Sequence, residues 1–236
     1  MRLTLRALSA LLAYPSEELQ ANASRIRQVL AEEKALPASA RAALEPLLRR
    51  FETEDLLDLQ SAYSDLFDRS RSLSLHLFEH VHGESRERGQ AMIDLKEHYH
   101  RYGYFLSVSE LPDFLPAFLE FTSCLSRKEA KEMLAQPAHV LAALAGRLTE
   151  RESPYAAIFT ALTRLAGVKP QPEVVAELNQ RAASEDARPL DEVWEEKPVT
   201  FTGADIQGVA HEMGGPTGIV ARIRAANRSA AKPARS

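Results

Sequence analysis

Cysteine occurs once in the 236 residues, at Cys124. A single thiol closes no internal disulfide, and there is no cysteine cluster to hold an iron–sulfur centre or a structural zinc. Long apolar runs are also missing: no stretch approaches the roughly 18 consecutive apolar residues that a spanning helix needs. The N-terminal "MRLTLRALSALLAYPSEEL" has the look of a signal peptide, but Arg6 interrupts it, and Leu5, Leu8, Leu11 and Leu12 follow helical spacing. The expectation is a soluble, cytoplasmic protein without stable membrane insertion. There is no excess of positive charge either. Lys and Arg number 29 against 33 Asp and Glu, a formal net charge of −4, so nucleic-acid binding has no global electrostatic support. Strand-like alternation is nearly absent, and its best candidate, "VTF" at 199–201, is too short to found a sheet.

What remains is an ordinary globular balance, 45% apolar and 26% charged, written almost wholly in helical periods. Leu19, Ala23, Ile26 and Leu30 make one stripe; Leu44, Leu47, Leu48 and Phe51 make another, with Pro46 as an expected kink or boundary. Leu56, Leu59, Tyr63, Leu66 and Phe67 follow, then Met92, Leu95 and Tyr99, then Phe114, Leu115, Phe118 and Leu119. Two further stripes run from Val140 to Leu148 and from Tyr155 to Leu165. Breaks fall at Pro15-Ser16, Pro37, Gly103, Ser109 before Pro112, Pro137, Ser153-Pro154 and Gly167. The pattern predicts an all-α, single-domain bundle of about eight to ten helices over residues 1–182. Composition shifts near Ser184. Residues 184–196 hold six acids against one arginine, residues 203–218 hold five of the ten glycines, and residues 221–236 hold five basic residues and no acid. Residues 183–236 therefore read as a mostly disordered tail, with Trp194 and Phe201 as its anchors.

One motif bears on chemistry. His76-Leu77-Phe78-Glu79-His80 reads as H-x-x-E-H. On a helix, His76 and His80 would share a face and bind zinc, with Glu79 as base, giving a zinc-dependent hydrolase. A third protein ligand is needed, and His82 falls on a different face while Glu84 lies beyond Gly83. The competing reading places these histidines in a polar connector between helices.

The wider stretch separates these readings. "LFEHVHGESRERGQAM" (77–92) and "ELPDFLPAFLEF" (110–121) closely resemble NarJ-type nitrate reductase chaperones, also called delta subunits, within the all-helical redox-enzyme maturation chaperones. "LSALLAYPSEEL", "YSDLF" (63–67), "SPYAAIF" and "VWEEKPVTF" fit the same family, so the likeness extends over most of the chain. The resemblance implies a cytoplasmic assembly role without catalysis. Such proteins bind the immature catalytic subunit of respiratory nitrate reductase, commonly through its N-terminal peptide. They promote insertion of the molybdenum cofactor before membrane attachment, and they work beside the machinery that delivers it. No cofactor or metal of the chaperone's own is implied.

A chaperone for one client needs an apolar groove and a few oriented polar groups. Ser109 is read as an N-cap, Pro112 as a first-turn residue, and Glu110 and Asp113 as complements to the helix dipole. Pro116 is expected to kink that helix. Phe114, Phe118 and Phe121 supply aromatic surface, and Glu120 is a carboxylate set among them, costly to bury without a cation. Tyr63 is read as a groove wall and Leu66 as core. The charged run 76–88 is read as a polar rim. The candidate client-peptide contacts are thus Tyr63, Phe67, Glu79, His82, Arg86, Pro112, Asp113, Phe114, Phe118 and Glu120, with Glu79, Asp113 and Glu120 meeting basic residues of the client.

Overall fold

The computed structural model describes residues 1–186 apart from Glu84, Val108 and Ser109, and not the side chains of Arg86, Glu185 and Asp186. Of the expected tail, residues 183–186 are described and belong to the last helix, while residues 187–236, with Trp194 and Phe201, lie outside the described residues. Among those residues are eleven α-helices, one 3-10 turn and no β-strand, the all-α architecture that the periodicity predicted. The helices are α1 (Arg2–Leu12), α2 (Glu17–Glu33), α3 (Ala38–Thr53), α4 (Leu56–Phe67), α5 (Glu79–His82) and α6 (Arg86–Arg101). They continue with α7 (Leu115–Cys124), α8 (Arg127–Ala135), α9 (Ala138–Glu150), α10 (Ala156–Ala166) and α11 (Pro172–Asp186); the 3-10 turn is Arg71–Leu73.

Local chemistry sets many of the boundaries. The Ser16 hydroxyl accepts from the Leu19 N–H at 3.2 Å and starts α2, and Asp55 does the same for α4 through the Leu57 N–H at 2.8 Å. Ser126 and Glu129 form a reciprocal capping box at the start of α8. Gly167 closes α10 at φ +71°, a conformation that side chains with a Cβ resist. Pro46 corrects an expectation: α3 runs through it without a boundary. Helices flanked on both sides by packed partners tolerate one missing N–H.

The core is centred on α7. From Leu115 to Ser123 every residue except Glu120 is buried, so this helix is apolar nearly all round and must be enclosed by others. It packs chiefly on α1, whose Leu5, Leu8, Leu11 and Leu12 are at most 1% exposed. The Ser9 hydroxyl donates to the Pro116 carbonyl at 2.8 Å across that contact. α2 lies on α1 and α3, while α10 packs on α8, α9 and α3, and α11 covers α9 and the 3-10 turn.

The start of α1 is held by a carboxylate from the end of α2. Glu33 accepts from the Leu3 N–H at 3.0 Å and the Thr4 N–H at 2.6 Å, and its other contacts are the Thr4 hydroxyl and the Met1 ammonium at 2.6 Å. Burial works to raise the Glu33 pKa, but these four donors together overcome it and hold it down to about 2, from an ordinary 4.5.

Two tests follow from this packing. Leu8→Ala removes a fully buried side chain at the α1–α7 contact and is expected to cost about 3 kcal/mol in urea unfolding with an unchanged slope. Because the folded-state pKa of Glu33 is depressed, its contribution is present above pH 4.5 and is lost as pH falls towards 2. Glu33→Gln should flatten stability against pH across that window; an unchanged acid limb would show that the Glu33 contacts contribute little.

Candidate functional site

The two strings that carry the resemblance, 77–92 and 110–121, are stitched together in space. His76 and Phe114 form an isolated antiparallel bridge. The Leu77 N–H donates to the Asp113 carbonyl at 3.0 Å, and the Leu115 N–H to the Leu75 carbonyl at 2.8 Å. At the centre is the Asp113 side chain, with no exposed surface. It accepts from the Phe78 N–H at 3.2 Å, lies 3.2 Å from His76 Nδ1 and 3.8 Å from the Arg88 guanidinium. Arg88 in turn pairs with Glu79 at 3.0 Å. The Tyr99 hydroxyl donates to the Pro112 carbonyl at 2.7 Å, which ties α6 to the same knot.

This arrangement corrects several expectations. α7 starts at Leu115, with Phe114 at its N-cap position and no side-chain cap. Asp113 and Pro112 precede the helix, and Ser109 lies outside the described residues. Pro116 stands in the first turn of α7, where a missing N–H costs nothing, so it does not kink the helix. Asp113 is buried and committed to partners within its own chain.

The zinc geometry fails at its premise. His76 stands in the bridge, and helix α5 begins only at Glu79, so His76 and His80 do not share a helix face. His80 is buried, and its Nε2 donates to the Ser74 carbonyl at 2.8 Å. Burial lowers its pKa and keeps the ring neutral, with smaller opposing effects from that hydrogen bond. Among the described residues no group of three His, Cys, Asp or Glu side chains is placed to hold a metal ion.

The concave feature lies elsewhere. An open groove of about 500 Å³ runs between α1 and α2. Ala7, Ala10 and Ala13 recur on one side of α1 and keep it shallow-walled, while Leu19, Ile26 and Val29 face them from α2. Arg6 and Arg25 line it, as do Glu18 and Glu120, the last contributed by α7. Tyr14 stands half-exposed at the edge, its ring 5.5 Å from that of Tyr63.

Comparison with known proteins is decisive at this point. The family model described as "Nitrate reductase delta subunit" matches residues 33–161, over half of the chain. The chain belongs to the nitrate reductase delta subunit family. It is 45% identical over 195 residues to the nitrate reductase molybdenum cofactor assembly chaperone NarJ of Escherichia coli K12, covering 82% of this chain and 83% of that one. It is 48% identical over 147 residues to the probable nitrate reductase molybdenum cofactor assembly chaperone NarW of the same strain, 62% of this chain and 64% of that one. A crystal structure of a candidate redox enzyme maturation protein from Archaeoglobus fulgidus shares the fold, with a TM-score of 0.52 at 22% identity over 71% of this chain and 94% of its own. The knot around Asp113 lies inside the span matched by the delta subunit family, whereas the groove walls from α1 and most of α2 precede it.

Within this delta subunit fold the ten candidate residues separate into four groups. Tyr63, Phe67 and Phe118 are core. Tyr63 donates its hydroxyl to the Leu12 carbonyl at 2.9 Å, Phe67 packs edge-on against Tyr155, and Phe118 has no exposed surface. Tyr63 is therefore no groove wall, and Leu66 is only partly buried. Pro112, Asp113, Phe114, Glu79 and His82 belong to the knot and its flank: Phe114 lies half-buried against the His76 ring, and His82 is 3.7 Å from Glu87. Arg86 opens α6, with its side chain outside the described residues. Glu120 alone reaches the groove; it is exposed and accepts from the Tyr104 hydroxyl at 3.1 Å. The groove-lining residues of α1 and α2 were missed. Their signal was legible as alanines at 7, 10 and 13 on the helix side opposite the leucine stripe.

The knot yields a test. Asp113→Ala should cost about 3 kcal/mol in denaturant unfolding, since it leaves the Phe78 N–H and Arg88 without their buried acceptor; Asp113→Asn keeps an acceptor and should cost less. If Asp113→Asn instead abolished client binding at undiminished stability, the purely architectural role would be wrong.

Proposed function

We propose that this protein is an assembly chaperone that binds the immature catalytic subunit of a nitrate reductase and promotes insertion of its molybdenum cofactor. Family membership, with NarJ aligned over 82% of the chain, is the observation that carries the reading. The chaperone takes no chemical step of its own; its mechanism is binding. The client's N-terminal segment is held in the groove between α1 and α2, its apolar side chains against Ala7, Ala10 and Ile26 and its basic residues towards Glu18 and Glu120. Glu120 suits this role because the Tyr104 hydroxyl steadies it while it stays exposed. Ordering an extended peptide opposes binding, so affinity is moderate and falls with added salt. No helix among the described residues is long and apolar enough to cross a membrane.

Calorimetric titration with a peptide from the catalytic subunit's N-terminus tests the reading. Saturable binding at micromolar affinity or tighter is expected. Ala10→Trp fills the groove at a half-exposed position and should weaken binding at least tenfold, about 1.4 kcal/mol, with little change in Tm. No binding by the unmodified protein sinks the client assignment, and undiminished binding by Ala10→Trp moves the peptide off the groove.

A further inference from the structure

The loop after α6 exposes more aromatic surface than a solvated connector needs. Phe105 is 73% exposed and Tyr102 is 50% exposed. Both tyrosines of the loop are anchored on the buried Phe121 ring, with centroids 5.7 Å away for Tyr102 and 5.6 Å for Tyr104. The two tyrosine rings are therefore held in place by the core, while the Phe105 ring lies against that of His100 on α6, with centroids 5.0 Å apart. The frame of this aromatic face is acidic. The Tyr102 hydroxyl donates to Glu129 at 3.2 Å, with Glu132 and Arg101 close by. The Tyr104 hydroxyl donates to Glu120 at 3.1 Å, with Glu110 close by. Glu110 accepts from the Ser107 hydroxyl at 2.9 Å, so Glu110 and Glu120 are each held by a hydroxyl donor.

Aromatic faces ringed by carboxylates favour guanidinium groups, which stack on the rings and pair with the acids at once. This chain carries such a segment outside its described residues. Residues 221–236, "ARIRAANRSAAKPARS", hold Arg222, Arg224, Arg228, Lys232 and Arg235 and no acid. The intervening residues 187–220 span up to about 110 Å when extended, more than enough to reach this face from the end of α11.

We propose that residues 221–236 dock in cis on the face formed by Tyr102, Tyr104 and Phe105 and framed by Glu110, Glu120 and Glu129. Tethering raises the segment's effective concentration well above that of a free basic peptide. Glu120 also lines the α1–α2 groove, so the docked segment competes there with a client's basic residues. That consequence rests on the function proposed above; the docking does not.

The test uses the full chain and its single cysteine. Cys124 is exposed, one turn from Glu120, with its Sγ 3.5 Å from the Glu120 carbonyl. A nitroxide attached there is expected to reduce the amide NMR intensities of residues 221–236 by at least half at low salt, with recovery at high salt. Replacing Arg222, Arg224 and Arg228 by Ser should abolish the loss. Without any label, the same three substitutions should shift the amide resonances of Tyr102, Tyr104, Phe105 and Cys124 and leave α9 and α10 unmoved. The proposal falls if the unlabelled shifts are absent, if broadening persists in the Arg→Ser variant, or if it arises only between labelled and unlabelled molecules mixed together.

Discussion

A single buried carboxylate organises the part of this molecule on which everything else leans. Asp113 has no exposed surface, yet it reaches a backbone N–H from the segment before α5, an imidazole from the bridge and a guanidinium from α6. A charge in that position is tolerable only because its surroundings supply donors on every side. The consequence is geometric. Asp113 fixes where α7 begins, α7 is the helix around which the rest is wrapped, and α1 packs on α7 to present the groove on its other side.

The division between architecture and function follows from this. The residues that make the family recognisable in sequence are largely those of the knot, and they are turned inward. The surfaces open to a partner are built from plainer material: alanines and an isoleucine between α1 and α2, and a tyrosine pair resting on Phe121. Glu120 joins the two surfaces. It projects from an otherwise buried helix, lines the groove and takes the Tyr104 hydroxyl, and burial together with this carboxylate raises the Tyr104 pKa.

Much of the fold was legible because the chain is written in one period. The leucine stripe of α1, the capping serine before α2 and the glycine after α10 each declare themselves through local chemistry that tertiary packing did not override. Pro116 and Asp113 were misread for a shared reason. A proline and an acid near a helix start have local roles as kink and cap, and those roles are the only ones visible along the chain. His76 and His80 were ambiguous likewise, since i and i+4 spacing means a shared face only if a helix is there, and the bridge to Phe114 prevents it.

The sequence by itself determined the all-helical class, most helix boundaries and the membership in a chaperone family, because periodicity, capping and motif identity are properties of neighbouring residues. Only the tertiary structure decided which of the notable side chains are enclosed and which stay exposed. Aromatic and acidic residues serve a core and a binding surface equally well, and the choice between them depends on which helix comes to lie above. For Asp113 a histidine and an arginine closed over it; Glu120 took the Tyr104 hydroxyl and stayed exposed among the described residues.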